Sequence, residues 1–490
     1  MKSKMVLFCT ALAVMAVVWG LAGCPKPEEE NLDKIPVTGI TLTKKTLTLA
    51  LSKQEKLSYT ITPEDADNQK VTWSSDKPTV ATVAADGTVT AAATVSGTAK
   101  ITVKTEDGGF TDVTTVTVVG NDDIMALPAM KTQFAGKFLI GNIINPGDIN
   151  GSGASATISN TRLTRHFNAL TAENNMKPSY LISAYNASTN TVTWNTNNKA
   201  IAVGFVNAAQ KAGIKLIGHT LLWHSQNANW MTNIGTDKNA ALTAMKTYIT
   251  AVVGDAEFKG KIYSWDVLNE IFPDGVSASA TWTDVMRKTG DSQAPNPWYV
   301  AIGSDFVYEG FLAARKADPN AILYYNDYNM DQVGKATMVR NMVQAVNNKY
   351  RTSDDKPVGE AAGRLLIEGI GMQSHHNTNV QASSIKNTLE LFKPLGVKIS
   401  ISELDVLAQG YSSALEGANK PPAAGNNLTL QATRYGEYMK LFLEYSSMIE
   451  RVSIWGITDD KSWRSAGEPL LFDKNGKAKP AYISFVKALE

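Results

Sequence analysis

The sequence predicts an α/β protein: a TIM-type (β/α)8 barrel preceded by a small all-β sandwich. Three observations carry this. Eight apolar or β-branched runs recur about every 45 residues between Lys131 and Glu490, with helical patterns between several of them. Ahead of them, from about Ile35 to Val119, Thr- and Val-rich segments alternate with period two. The 490 residues fit two to four domains at roughly 150 residues each. A hydrophobic fraction of 43% supports sizeable cores, and 47 Lys+Arg against 46 Asp+Glu leave no basic surplus for gripping nucleic acid. The two cysteines, Cys9 and Cys24, both lie near the start, so the rest must fold without disulfides or thiolate metal sites.

Residues 1–23 read as an export signal: Lys2 and Lys4 precede an apolar run from Met5 to Ala22. An uncleaved membrane helix is the competing reading, since about 18 apolar residues can just span a bilayer. The ending Leu21-Ala22-Gly23-Cys24 resembles the lipobox of bacterial lipoproteins. That resemblance implies cleavage before Cys24, acylation of this cysteine and lipid anchoring at a bacterial cell envelope. Residues 24–34, with Pro25-Lys-Pro-Glu-Glu-Glu30, read as an extended tether.

In residues 35–120, Val71–Ser75, Thr79–Val83, Thr88–Thr90 and Lys100–Lys104 alternate as short strands, with Asp86-Gly87 and Gly108-Gly109 as turns. Val37-Thr-Gly-Ile40, Trp73-Ser-Ser75, Ala81-Thr-Val83, Gly87-Thr-Val89 and Gly97-Thr-Ala99 resemble the bacterial immunoglobulin-like group 2 domain. Trp73 reads as a core residue rather than a sugar platform, and the module as a spacer. Residues 121–130 form a linker.

Within residues 131–490 the expected strands are Phe138–Gly141, His166–Leu170, Ile214–Gly218, Ile262–Leu268, Ala321–Tyr325, Leu366–Ile370, Val397–Ile401 and Arg451–Trp455. Helices are expected over Lys199–Ala212, ended by Gly213, and over Ser304–Ala317, ahead of Pro319. An open doubly wound sheet is the rival, weakened because no Gly-rich phosphate loop follows the first strand. In a barrel the chemistry gathers at the C-terminal ends of the strands. Those ends are polar here: Thr171–Lys177, His219–His224, Asn269-Glu270, Asn326-Asp327, Gln373–His375, Glu403–Asp405 and Asp459-Asp460, with Trp463 beyond.

Glu270 and Glu403 end strands four and seven, close enough around an eight-stranded ring to meet across its mouth. Paired carboxylates are what cleavage of a glycosidic acetal needs. Trp223, Trp455 and Trp463 add flat apolar surfaces of the kind that sugar faces pack on. The motifs Thr171-Ala-Glu-Asn-Asn-Met-Lys177, Gly218-His-Thr-Leu-Leu-Trp-His-Ser-Gln226, Trp265-Asp-Val-Leu-Asn-Glu270, Tyr325-Asn-Asp327, Gly371-Met-Gln-Ser-His375, Ile401-Ser-Glu-Leu-Asp405 and Trp455-Gly-Ile-Thr-Asp459 with Ser462-Trp-Arg464 resemble the endo-1,4-β-xylanases of glycoside hydrolase family 10.

That resemblance implies a retaining double displacement on xylan, with Glu270 as acid/base and Glu403 as nucleophile. Asn269 would contact the 2-hydroxyl of the sugar under attack, and His375 would bridge Glu403 and Asp405. Glu173, Asn174 and Lys177 would bind a sugar on the non-reducing side. His219, Trp223 and Gln226 would line the adjacent pocket, Gln373 would position the carboxyls, and Trp455 and Trp463 would wall that half of the cleft. No metal and no cofactor are implied, and a monomer is expected, with xylan or a related β-1,4-linked plant polysaccharide as partner. The sequence departs from the pattern at Ala172, where Pro is usual, and at Pro178, where Trp is common. Three other readings stay open: a cellulose- or mixed-linkage-directed glycanase, a non-catalytic glycan-binding lipoprotein, and a metal-dependent hydrolase. The five histidines include no His-x-His or His-Glu-x-x-His, which weighs against the last.

Overall fold

The computed structural model describes residues 34–120, 122–288, 294–408 and 427–490. The expected export signal, nearly all of the tether with Cys24, and residues 409–426, rich in Gly, Ala and Pro, lie outside these residues. No helix among the described residues is long and apolar enough to cross a membrane.

Period-two alternation builds the N-terminal sandwich. Its largest sheet has four strands in the order Thr46–Ala50, Thr111–Val119, Gly97–Thr105 and Val71–Ser75. A three-stranded sheet of Gln54–Lys56, Thr88–Ala91 and Ala81–Val83 and the pair Gly39–Leu42 with Tyr59–Thr62 complete it. Inward positions Leu47, Leu49, Val89, Ile101, Val103, Val116 and Val118 are buried, which is the alternation read out as packing. Trp73 packs against this core, half-buried, with its ring edge-on to Tyr59 at 5.9 Å. Asp86-Gly87 makes the expected turn; Gly87 has φ +85°, and a Cβ there would meet the Trp73 ring at 2.9 Å.

The rest is a closed barrel. Its eight parallel strands are Leu139–Ile144, Ala169–Ala172, Lys215–Leu222, Ser264–Asn269, Ile322–Asp327, Gly369–Met372, Lys398–Leu407 and Ile449–Ile454. Each pairs with its sequence neighbours, and strand one pairs with strand eight, Leu139 opposite Arg451, to close the ring. Six of the predicted runs fall mostly within the observed strands, which usually run on toward the C-terminal end. The sixth run, Leu366–Ile370, shares only Gly369 and Ile370 with its strand, and the second shares only Ala169 and Leu170. The run His166–Leu170 is only half strand, because Asn160 caps a helix over Thr161–His166. His166 ends that helix as a buried residue on the Ile124 carbonyl, and its pKa falls to about 4 mainly through burial.

Helices cover the outside, among them Thr196–Lys211 and Asp305–Ala317 near the predicted bounds. Gly213, at φ +66°, follows the first of them and turns the chain into strand three. The last helix, Pro480–Lys487, packs against the sandwich: Lys487 pairs with Glu55, and the Thr48 backbone N–H donates to Glu490.

Candidate active site

The polar strand ends converge on one cleft of about 790 Å³ at the C-terminal rim. Glu173, Asn174, Lys177, His219, Trp223, Gln226, Asn269, Glu270, Gln373, His375, Glu403, Trp455 and Trp463 all line it. Asp405 stands behind, fully buried.

Glu403 enters from strand seven, the longest of the eight. Beyond strand six a short segment, His375–Asn377, pairs with the end of strand seven so that His375 lies opposite Asp405. This register sets the imidazole between two carboxylates, Nδ1 2.9 Å from Asp405 and Nε2 3.1 Å from Glu403. Burial disfavours its charge, but Asp405 and Glu403 outweigh that and raise the His375 pKa to about 9. Both ring nitrogens therefore carry protons at neutral pH, and each donates to a carboxylate. Glu403 in turn is held below the usual carboxylate range: burial opposes this, and His375, His219 and Asn326 outweigh it. Asp405 is lowered in the same way, against burial, by His375 and by Arg464, whose guanidinium donates to it at 2.6 Å.

Glu270 directly follows strand four with φ +53°; its carboxylate accepts from neutral donors, and His224 Nδ1 lies 3.8 Å from Oε2. Trp223 Nε1 donates to its Oε2 at 2.9 Å, and Gln373 and Asn269 donate to its Oε1 at 2.8 and 3.2 Å. Amides connect it to the other carboxylate. Asn326 donates to the Asn269 oxygen at 3.0 Å and to Glu403 Oε1 at 2.7 Å, while Ser402 fixes the Asn326 oxygen at 2.6 Å. Gln373 also donates to the Asn269 oxygen, at 3.2 Å. The two glutamates thus share one hollow through two bridging side chains.

On the side of strands two and three, buried Lys177 donates to Gln226 at 2.8 Å and Asn174 at 3.2 Å, and Asn145 donates to Glu173. Burial lowers the Lys177 pKa, against the pull of Glu403, Glu173 and Glu270. Trp463 is 41% exposed, stands edge-on to His375 at 5.0 Å and donates to Asp405; Trp455 is buried between His375 and His219. His219 itself reaches Asp266 at 2.9 Å.

All the predicted catalytic and substrate-binding residues therefore meet at one place, with Cys24 outside the described residues, but sequence reasoning misses several partners. Asn326 reads from sequence as a strand end inside a motif that assigns it no role. Arg464 belongs to a motif that implies no role for it, and Tyr328, Asn329, Asp274 and Asn377, which line the opposite half of the cleft, carry no motif of their own. The clearest available signal is position, since Tyr328 and Asn329 directly follow strand five. Among the described residues no group of three or more His, Cys, Asp or Glu could hold a metal ion.

Known proteins share this arrangement. The glycosyl hydrolase family 10 model matches residues 129–488, and the bacterial Ig-like domain (group 2) model matches residues 36–118. Endo-1,4-beta-xylanase A of Thermotoga maritima is 32% identical over 378 residues, 74% of this chain but 31% of that protein, so the chain spans under a third of it. The endo-1,4-beta-xylanase of Geobacillus stearothermophilus is 31% identical over 73% of this chain and 97% of its own. The crystal structure of a bacterial Ig-like domain-containing GH10 xylanase from termite gut superposes with a TM-score of 0.70 at 45% identity, covering 90% of this chain and 98% of that one. With a strand-four glutamate and a strand-seven glutamate facing one cleft, and with the family model spanning the whole barrel, the chain belongs to glycosyl hydrolase family 10 and carries a group 2 bacterial Ig-like domain ahead of the barrel.

Proposed function

We propose that the chain is an endo-1,4-β-xylanase that cleaves internal β-1,4-xylosidic bonds of xylan with retention. The observation that carries this reading is the pairing of an anionic Glu403, fixed by a protonated His375, with a Glu270 surrounded by neutral donors in the same hollow. The relatives named above, described as xylanases, support xylan as the substrate.

In the first step a Glu403 oxygen attacks the anomeric carbon while Glu270 passes its proton to the departing glycosidic oxygen. The C–O bond to the leaving chain breaks as the ester bond to Glu403 forms. Asn269 meets the 2-hydroxyl of the sugar under attack, and Lys177, Glu173, Asn174 and Gln226 hold its non-reducing neighbour. In the second step Glu270, now a carboxylate, takes a proton from water as that water displaces Glu403. His375 remains paired with Asp405 throughout, so the imidazolium keeps a counter-charge while Glu403 is esterified. The sequence of steps needs no cofactor.

Labelling tests this. A 2-deoxy-2-fluoro xylobioside with a good leaving group should add one glycosyl unit to the peptide carrying Glu403, and the E403A variant should not be labelled. Label on another residue would remove Glu403 from the role. Sizing of products from xylan, cellulose and mixed-linkage glucan fixes the chain specificity. Preferential release from the glucans would replace xylan as substrate, and binding without release would point to a non-catalytic glycan module.

We infer further that Cys24 is acylated after cleavage and that the protein works as a monomer on the cell envelope, with the sandwich as spacer. The Leu21-Ala22-Gly23-Cys24 sequence supports the anchor. A C24S variant should move from the membrane fraction to the soluble fraction, and no shift would end that reading.

A further inference from the structure

Two cations are buried behind the half of the cleft formed by strands four to six. Arg287, 1% exposed, lies on the chain after strand four and donates through Nε to the Glu270 backbone oxygen at 2.8 Å. A terminal nitrogen of the same guanidinium donates to the Tyr328 hydroxyl at 2.6 Å. Lys335, also 1% exposed, starts the helix Val333–Thr352. Its ammonium lies 3.1 Å from Asp327, 2.8 Å from Asp274 and 3.7 Å from the centre of the Tyr328 ring. Asn329 closes the group by donating to Asp274 at 3.0 Å.

We propose that Arg287 and Lys335 are positioning residues for the leaving-group half of the substrate, holding the Tyr328 ring and the Glu270 backbone at one fixed spacing so that the departing sugar is pressed against the proton donor. The inference rests on the reading of Glu270 as that donor.

Topology supplies the direction. Lys177, Gln226, Trp455 and Trp463 follow strands two, three and eight, whereas Tyr328, Asn329 and Asp274 follow strands five and four. Glu270, on strand four, stands at the boundary. A chain crossing the cleft therefore leaves across Tyr328. That ring has its hydroxyl committed to Arg287 and one face covered by Lys335, so what it offers the cleft is its other face. Glu270 needs fastening because φ +53° is a conformation that residues with side chains rarely adopt. A guanidinium suits that role because its planar fork reaches two acceptors in fixed directions, which a lysine ammonium does not. Buried charges are also a poor route to plain stability, since apolar groups of the same size commonly serve as well or better.

The test compares kcat/KM on xylotetraose and on 2,4-dinitrophenyl β-xylobioside. The dinitrophenolate leaves without a proton and presents no sugar on that side. R287M and K335M should each lose roughly thirtyfold more on xylotetraose than on the aryl substrate, and R287K should recover part of the difference. Y328F, a mild change that keeps the ring and removes the hydroxyl accepting from Arg287, should lose roughly fivefold more on xylotetraose; it decides the matter if the buried variants do not fold. Losses equal on both substrates, within about threefold, overturn the proposal. E270Q separates the underlying reading. If E270Q itself fails to discriminate between the two substrates, Glu270 is not the donor. If E270Q discriminates and the other variants do not, the positioning role alone falls.

Discussion

The surroundings of the two glutamates differ in kind. Glu403 is held by charge: a protonated His375 backed by Asp405, which is itself backed by Arg464. The Glu270 carboxylate is held by an indole and two amides, while the Arg287 guanidinium reaches only its backbone oxygen. The contrast fits the roles proposed for the two groups. A nucleophile must stay ionised inside a largely buried site, and a nearby cation together with hydrogen bonds to the anion offsets the desolvation of its charge. A proton donor that later becomes a base must be tolerated in both states, and neutral donors orient it without fixing its charge.

Four measurements would break or sharpen this contrast. The largest effect is expected for E403A, a fall in kcat on xylan of roughly 10⁴-fold or more, because the covalent step has no substitute. A residual rate within tenfold of wild type would break it. Next is H375Q, which removes the cation but keeps an amide: kcat should fall about 10²–10³-fold, the range seen when one preorganised electrostatic donor is lost. An effect no larger than that of W223F would mean that charge is not what distinguishes the two sides. W223F removes one neutral hydrogen bond to Glu270 and should cost about tenfold in kcat.

The smallest effect is one of stability. The folded pKa of His375, about 9 against an ordinary 6.5, lies above the unfolded value, so its contribution is fully present below about pH 6.5 and lost as pH rises through about 9. It is worth at most about 3 kcal/mol. Urea unfolding of wild type and H375Q between pH 6 and 10 should show the gap closing on the alkaline side. A gap that widened there would reverse the assignment of the charge.

Much of this is legible in the sequence, for physical reasons. Barrel strands are buried on both faces and read as apolar runs, so six of eight can be located over most of their predicted length, and the rim follows from the polar residues that end them. His166–Leu170 misleads because a helix end and a strand start are both apolar there, and only the Asn160 cap separates them. The boundary of strand seven is hidden because its last residues include Glu403 and Asp405, polar groups that look like loop until His375 and Arg464 pair with them. Arg287 and Lys335 leave no trace. A lysine in the first turn of a helix reads as solvated, and an arginine in an aperiodic connection has no pattern to betray its burial. Such partners become visible only when distant strands are brought together.

The backbone at Glu270 carries one more implication. Its left-handed turn costs an L-residue with a side chain about 1 kcal/mol or more that glycine would not incur. The molecule therefore keeps the side chain proposed as its proton donor at a position where the chain would rest more easily without one. Selection for thermal robustness alone would drift toward glycine at 270 and yield a hardier but inert barrel, so the two pressures oppose each other at this residue.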